Sequence, residues 1–121
     1  MISKSIALLL ATYVSMASGA TVYFCKDVNW GGDCHNSPTI TGSDVCHNME
    51  GGVADYNDQI SSFGPGEGLW CTVFKDYGCT YYDDNGWVSF GYPGVADLRT
   101  ISGFNDAISS YACHAGSGPP E

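Results

Sequence analysis

An eight-residue phrase occurs twice in this chain, as Tyr-Asn-Asp-Gln-Ile-Ser-Ser-Phe at 56–63 and as Phe-Asn-Asp-Ala-Ile-Ser-Ser-Tyr at 104–111. Five of the eight positions are identical, and the two ends exchange one aromatic residue for another. A repeat at an offset of 48 residues predicts one supersecondary unit built twice. Each copy also places an amide, a carboxylate and two hydroxyls within six residues. Such hard oxygen ligands are the ones that calcium prefers.

Each copy of the phrase has the pattern of a loop that enters a β-strand. Asn-Asp tolerates tight turns, and Ile-Ser-Ser-aromatic alternates apolar and polar residues with the period of a strand. Other short strand-like runs lie at 21–26, 70–75 and 86–90, between clusters of Gly, Pro, Asn and Asp. These features predict an all-β chain, with a single turn of helix around 95–101.

The doubled phrase resembles the calcium motif of microbial βγ-crystallins, Asn/Asp-Asn/Asp-x-x-Ser/Thr-Ser, which occurs once per Greek key and twice per domain. Both copies match it at every specified position. The resemblance implies a βγ-crystallin-like sandwich of two Greek-key motifs, and the six cysteines predict that it is stapled by disulfides. We therefore expect a single domain over 21–114, with Greek key one over about 21–67 and Greek key two over about 68–114.

The openings of the two units support the resemblance to different degrees. Family members open each Greek key with a hairpin that has two aromatic landmarks and a glycine. Cys25, Trp30 and Gly32 stand at those places in the first unit, with cysteine at the first aromatic position. The second opening, at 74–79, is shorter. A four-residue echo, Gly-Val-Ala-Asp at 52–55 and again at 94–97, further suggests duplication.

By the same resemblance, each calcium ion is held by one hydroxyl, two main-chain carbonyls and one carboxylate, with water completing the shell. The two halves of such domains exchange ligands, so a carboxylate can serve the site opposite its own loop. Asn57 and Asn105 are expected to brace the loops. The candidate ligands are the hydroxyls of Ser61 and Ser109, the carboxylates of Asp58 and Asp106, and the carbonyls of Gln59, Ala107, Lys26 and Lys75.

The ends of the chain differ in character from the rest. Residues 1–20 combine Lys4, a short apolar run and Ser18-Gly19-Ala20, which is typical of a secretory signal peptide. Residues 115–121 have the composition of a flexible tail. Without the leader, three basic residues face thirteen acidic ones, a net charge of 3 − 13 = −10. This charge disfavours nucleic acid and membrane as partners and attracts divalent cations.

All six cysteines lie after the predicted leader. An even number of cysteines in a small secreted chain predicts three disulfides, with fifteen pairings open. We expect Cys25 to bond to a cysteine of another strand that also points into the sandwich. Three Cys-His pairs invite a zinc interpretation, but no zinc-finger spacing accompanies them. The disulfide candidates are Cys25, Cys34, Cys46, Cys71, Cys79 and Cys113.

Catalytic motifs are not evident in the sequence, and we expect no enzyme. Asp83 and Asp84 could suggest a glycosidase pair, but adjacent strand residues point to opposite faces and Asp-Asp-Asn-Gly favours a turn. With Tyr81, Tyr82 and Trp87 nearby, this region is better interpreted as a hairpin that could contact carbohydrate.

The sequence thus favours a secreted, non-catalytic, monomeric protein that binds calcium at two sites. The alternative is a secreted effector on the same fold, which would be an antimicrobial or killer-toxin-like protein, a cell-wall carbohydrate binder or a protease inhibitor. The acidic charge argues against a membrane-active antimicrobial, which is normally basic. Any carbohydrate or protein partner stays open.

Overall fold

The computed structural model describes residues 21–38 and 45–116. The predicted leader lies outside the described residues, as does most of the predicted tail. The all-β class expected from the sequence is confirmed. Within the described ranges the elements follow the order β1 (Thr21–Cys25), β2 (Cys34–Pro38), β3 (His47–Asn48), a 3₁₀ helix η1 (Gly51–Tyr56), β4 (Ser62–Pro65), β5 (Leu69–Phe74), β6 (Trp87–Gly91), a 3₁₀ helix η2 (Leu98–Thr100) and β7 (Ser110–Ala115).

The strands form two antiparallel sheets, in the orders β2-β1-β4 and β3-β7-β5-β6. Although β3 comes from the first half of the chain, it pairs with β7 of the second half. In return, Val95 of the second half bridges to Phe63 in β4, through hydrogen bonds of 2.9 and 3.1 Å. The third strand of each half therefore pairs within the sheet of the other half. In the second half that strand is reduced to one bridge, so the sheets have three and four strands rather than four each.

The two halves repeat the same backbone contacts. The amide of Ser61 donates to the carbonyl of Cys25 at 2.9 Å, and the amide of Ser109 donates to the carbonyl of Phe74 at 2.8 Å. These matched bonds join the end of each repeated phrase, where β4 or β7 begins, to the first strand of its own half. The duplication inferred from the long phrase is therefore a structural duplication.

The shorter Gly-Val-Ala-Asp echo does not follow this symmetry. Its first copy, at 52–55, lies inside η1, whereas its second copy, at 94–97, contains the Val95 bridge and ends before η2. The interpretation of these four residues as a repeated element is wrong. Their offset of 42 residues also differs from that of the phrase, because the two connections differ in length.

Apolar side chains fill the space between the two sheets. In β1, Val22 and Phe24 are buried while Tyr23 between them is exposed. The ring of Phe24 stacks on Phe63 with centroids 5.8 Å apart, and Phe63 meets Tyr111 edge-on at 5.3 Å. Burying a side chain of this size is worth about 1.5–3 kcal/mol. This aromatic cluster therefore makes a large contribution to holding the sheets face to face.

The six cysteines form three disulfides, as expected. Cys25 is bonded to a neighbouring strand, but the expectation that its partner points into the sandwich is wrong. Phe24 takes the core face of β1, Cys25 lies outside the core cluster, and Cys34 is only half-buried. The bonds are Cys25–Cys34 between β1 and β2, Cys46–Cys79 between the two halves, and Cys71–Cys113 between β5 and β7.

The disulfides also bear on where the chain folds. Structural disulfides form and persist mainly in oxidising compartments, so three of them in a domain of this size indicate an oxidising or extracellular environment. Over 21–38 and 45–116, no helix has the length and apolar character needed to cross a bilayer.

Candidate metal centre

The serine of each repeated phrase lies beside the aspartate of the other phrase. Ser61 Oγ donates to Asp106 Oδ1 at 3.3 Å, and Ser109 Oγ donates to Asp58 Oδ1 at 3.2 Å. The partners are 45 and 51 residues apart in the chain. The structure therefore brings two hydroxyl–carboxylate pairs together, and each pair draws one residue from each half.

The backbone of each aspartate explains this exchange. The amide of Asp58 donates to the carbonyl of Ile108 at 3.1 Å, and the amide of Asp106 donates to that of Ile60 at 3.0 Å. Each loop is thereby tied to the strand entry of the opposite phrase. Both aspartates have left-handed φ values, 57° and 56°. Aspartate tolerates this conformation better than most residues, and such strained positions cluster at functional sites.

The last serine of each phrase holds the opening hairpin of its own half. Ser62 Oγ donates to the carbonyl of Asp27 at 2.9 Å, and Ser110 Oγ donates in the same way to the carbonyl of Asp76. The second hairpin is therefore anchored like the first. The expectation that it is shorter is wrong, because 12 residues separate β5 from β6 whereas 8 separate β1 from β2. Sequence reasoning assigned no role to these serines, although their identity in both copies was an available signal.

Those anchors leave one carbonyl open in each hairpin. The carbonyls of Cys25 and Asp27 accept hydrogen bonds, whereas that of Lys26 between them accepts none from the described part of the chain. Lys75 has the equivalent position between Phe74 and Asp76, and its carbonyl is likewise open. Two candidate ligand carbonyls are thus available in the segments where the resemblance expects them.

Comparison with solved structures gives the fold. A structure described in connection with the evolution of the eye-lens βγ-crystallin domain fold matches with a TM-score of 0.62 and 26% identity, covering 81% of this chain and 88% of that one. A βγ-crystallin of Ciona intestinalis matches with a TM-score of 0.57 and 20% identity, covering 81% and 99%. This chain has the fold of a βγ-crystallin domain.

A microbial member supports the same assignment. A βγ-crystallin domain of Flavobacterium johnsoniae matches with a TM-score of 0.57 and 19% identity, covering 81% of this chain and 98% of that one. No protein-family model and no curated protein matches the sequence. At these identities the likeness establishes the architecture of the βγ-crystallin domain, so its chemistry has to be argued from its own residues.

Asn57 and Asn105 occupy the same position in the two repeated phrases, directly before the aspartate of each Ser–Asp pair. Asn105 Nδ2 donates to Asp106 Oδ2 at 3.3 Å. Among the described residues, Oδ1 of Asn57 and Oδ1 of Asn105 are both buried without a hydrogen-bond partner. Two buried oxygens without a hydrogen-bond partner, at equivalent positions of the two phrases, indicate that the described protein groups alone do not satisfy the polar atoms of this region.

The ammonium groups of the two candidate lysines lie over aromatic rings. Lys26 Nζ lies over the ring of Tyr56, 5.2 Å from its centroid, and Lys75 Nζ lies over Phe104 at 5.0 Å. Burial, followed by the charge of Asp33, raises the pKa of the Tyr56 phenol. Each ammonium group thus lies over the ring of the aromatic residue that begins the repeated phrase of its own half.

No cysteine thiolate is available to bind zinc in this domain, because all six cysteines are in disulfides. Within the described ranges, no three His, Cys, Asp or Glu side chains group together as a metal site. The expected calcium shells contain only one carboxylate each and depend on hydroxyl and carbonyl oxygens, so they differ from a cluster of that kind.

Proposed function

We propose that this chain is a secreted, non-catalytic βγ-crystallin domain that binds two calcium ions. Each ion lies at one hydroxyl–carboxylate pair, Ser61 with Asp106 or Ser109 with Asp58. The reciprocal pairing across the two halves is the observation that carries the proposal. A turn that served only to start a strand would need no acidic partner from the opposite half.

The spacing of the paired oxygens supports this assignment. The Ser–Asp distances are 3.3 and 3.2 Å, whereas hydrogen bonds from a hydroxyl to a carboxylate are commonly about 2.5–2.7 Å. The hydroxyls of Thr72 and Ser89 in the same domain approach to 2.7 Å. Two oxygens bound to one calcium at about 2.4 Å each, at right angles, lie about 3.4 Å apart. The pairs are thus spaced more like two ligands of one cation than like a relaxed hydrogen bond.

Open carbonyls provide the rest of each shell. No donor from the described part of the chain reaches the carbonyls of Gln59 and Ala107, whereas the carbonyls of Ile60 and Ile108 beside them are bonded. With the hairpin carbonyl of Lys26 or Lys75, each site has four protein oxygens, and water would complete six to eight ligands. One carboxylate per ion gives a weakly charged shell, which suits extracellular affinities of about 10⁻⁴ to 10⁻³ M.

Calorimetric titration of the oxidised protein with calcium, and with magnesium for comparison, tests the proposal. We expect two calcium binding events and a higher melting temperature, since a ligand at about 100 times its Kd adds about 2.7 kcal/mol to the free energy of unfolding. Ser61→Ala and Ser109→Ala should each weaken one event. Ser89→Ala is a matched control because it removes a hydroxyl from a pair outside the motifs.

Absence of calcium heat together with an unchanged melting temperature at millimolar calcium would contradict the proposal. If the Ser61→Ala and Ser109→Ala variants bind calcium as the Ser89→Ala control does, the two phrases are turns without a metal role. The secreted state is tested separately, because N-terminal sequencing of protein exported by a secreting host should begin at Thr21.

No catalytic role is proposed for Asp83 and Asp84. Asp83 Oδ1 accepts a hydrogen bond from the amide of Asn85 at 3.0 Å, and the carbonyl of Asp83 accepts one from Gly86 at 2.9 Å. The first carboxylate is therefore used to form the turn. Both side chains are exposed.

A further inference from the structure

The second half of the domain carries a cleft of about 480 Å³ between the 83–87 turn and the 101–104 loop. We call it the Trp87 cleft. Its volume is within the range of about 300–1,000 Å³ typical of small-molecule sites. Its lining includes the side chains of Lys75, Asp84, Asn85, Trp87, Ser102 and Phe104.

The cleft results from a difference between the two halves. In the first half, Lys26 lies over Tyr56 and also approaches the carboxylate of Asp33, with Nζ and Oδ2 3.8 Å apart. In the second half, Lys75 lies over Phe104 in the same way, but forms no ion pair with another described residue. The equivalent of Asp33 is missing there, so Lys75 faces the cleft without an acidic partner.

The aromatic wall of the cleft is fixed by a series of edge-to-face contacts. Phe74, which is buried in the core, meets Tyr81 with ring centroids 5.0 Å apart and an interplanar angle of 82°. Tyr81 meets Trp87 at 5.0 Å and 78°. Trp87 is still 37% exposed. A large indole surface is therefore held in one orientation at the cleft, which lowers the entropy cost of binding a ligand there.

Polar groups beside the indole have unused hydrogen-bonding capacity. The amides of Asn85 and Gly86 are bound by Asp83, which fixes the turn while its side chains project outward. Among the described residues, the side chains of Asp84, Asn85 and Ser102 form no hydrogen bond. Together with Lys75 they supply both donors and acceptors at the edge of one aromatic surface.

We propose that the Trp87 cleft binds an uncharged saccharide. A pyranose ring presents weakly positive C–H groups on its face, which suit the negative face of an indole, and ring hydroxyls on its edge, which both donate and accept. The single Lys75 and the single Asp84 balance each other, so the cleft has no net charge to select an anion. The excess of acidic over basic residues in the chain further disfavours an acidic sugar.

A carbohydrate array followed by calorimetric titration tests this inference. The array should carry neutral β-linked glucose, mannose and N-acetylglucosamine oligomers and, as a comparison, oligogalacturonate. We expect binding to at least one neutral oligomer. Trp87→Ala should weaken it by about tenfold or more, as is common for a tryptophan at the centre of a binding site, and Asn85→Ala should weaken it less.

Tyr82→Ala is the matched control, since Tyr82 is 95% exposed, belongs to the same hairpin and does not line the cleft. Tyr92→Ala tests a second aromatic cleft, formed with Tyr23 and Trp30. Unchanged melting curves would show that the variants are folded. Loss of binding only in Tyr92→Ala, binding only to oligogalacturonate, or binding to no oligomer would each overturn the inference.

The saccharide and calcium proposals share Lys75, whose carbonyl is a candidate calcium ligand and whose side chain lines the cleft, whereas Asp84, Asn85 and Trp87 are not candidate calcium ligands. The titration should therefore be performed both in calcium and in chelator. A domain that fails to bind calcium can still bind sugar through this cleft, and the reverse also holds.

Discussion

The hydroxyl of Ser109 lies 3.2 Å from the carboxylate of Asp58, 51 residues earlier in the chain. With the matching contact between Ser61 and Asp106, this relationship divides each candidate site between the two repeated phrases. Substitution of the aspartate of one phrase should therefore affect the site whose serine belongs to the other phrase.

The first prediction concerns this division. Asp58→Asn and Ser109→Ala should weaken the same calcium binding event, so the double variant should lose much less than the sum of the two single losses. Asp58→Asn with Ser61→Ala should weaken different events, and the losses in binding free energy should add within about 0.5 kcal/mol. Two-site calorimetric titration measures both combinations. The reverse pattern would show that each carboxylate serves its own loop.

The second prediction compares the buried serines that end the two phrases. Ser110 Oγ accepts from the amide of Cys79 at 3.1 Å and donates to the carbonyl of Asp76. Among the described residues, Ser62 Oγ bonds only to the carbonyl of Asp27. An unsatisfied buried polar group costs about 1–3 kcal/mol. Ser110→Ala should therefore lower the free energy of unfolding more than Ser62→Ala does, by about 1 kcal/mol. Equal losses in urea unfolding without calcium would contradict this order.

The third prediction uses two glycines with similar backbones. At Gly94, where φ is +94°, an added Cβ would lie 2.4 Å from both the carbonyl oxygen of Phe63 and the Cα of Gly64. At Gly68, where φ is +85°, it would meet nothing within 4 Å.

Gly68→Ala should cost about 1–2 kcal/mol, from the left-handed conformation alone. Gly94→Ala should cost at least about 4 kcal/mol, because the backbone atoms that it would meet cannot rotate away. Thermal unfolding of both variants compares them. If both variants lose a similar free energy of unfolding, the backbone beside the Val95 bridge can move to accommodate the added Cβ at little cost.

The fourth prediction concerns pH. Burial lowers the pKa of His47 from its usual value of 6.5, so the unfolded chain binds this proton more readily than the folded chain does. The stabilisation by neutral His47 is therefore complete above the unfolded pKa and is lost as the pH falls below it.

His47→Phe keeps a ring against Tyr111, on which His47 stacks with centroids 4.9 Å apart. We expect this variant to lose less of its free energy of unfolding than the natural chain between about pH 7.5 and pH 5. Urea unfolding across that interval measures both proteins. If both proteins lose the same free energy of unfolding over this pH interval, His47 does not contribute to the pH dependence.

The elements that could be predicted from sequence are those with strong periodic or motif signals. The repeated phrase correctly indicated two loops that enter strands, and the runs at 70–75 and 86–90 correspond to β5 and β6 within one residue at each end. The helical turn expected around 95–101 is present as η2. In each case residue types and spacing agreed locally with the fold.

The elements missed in sequence depend on tertiary contacts. β2 has the composition Cys-His-Asn-Ser-Pro, which lacks β-branched and aromatic residues, and it is a strand because it pairs with β1 along its whole length. β3 has only two residues and exists through its pairing with β7. The Trp87 cleft likewise brings Lys75 to residues 101–104, a proximity that no local pattern could predict.

The exchange of third strands has a consequence for biosynthesis. β3 leaves the ribosome long before β7, with which it pairs, and β4 must wait for Val95 before its bridge can form. Although domains usually fold as units with the N-terminal part first, this first half cannot complete its hydrogen bonding on its own. The nascent chain should therefore remain sensitive to protease until the last strand has emerged, and then become resistant in one step.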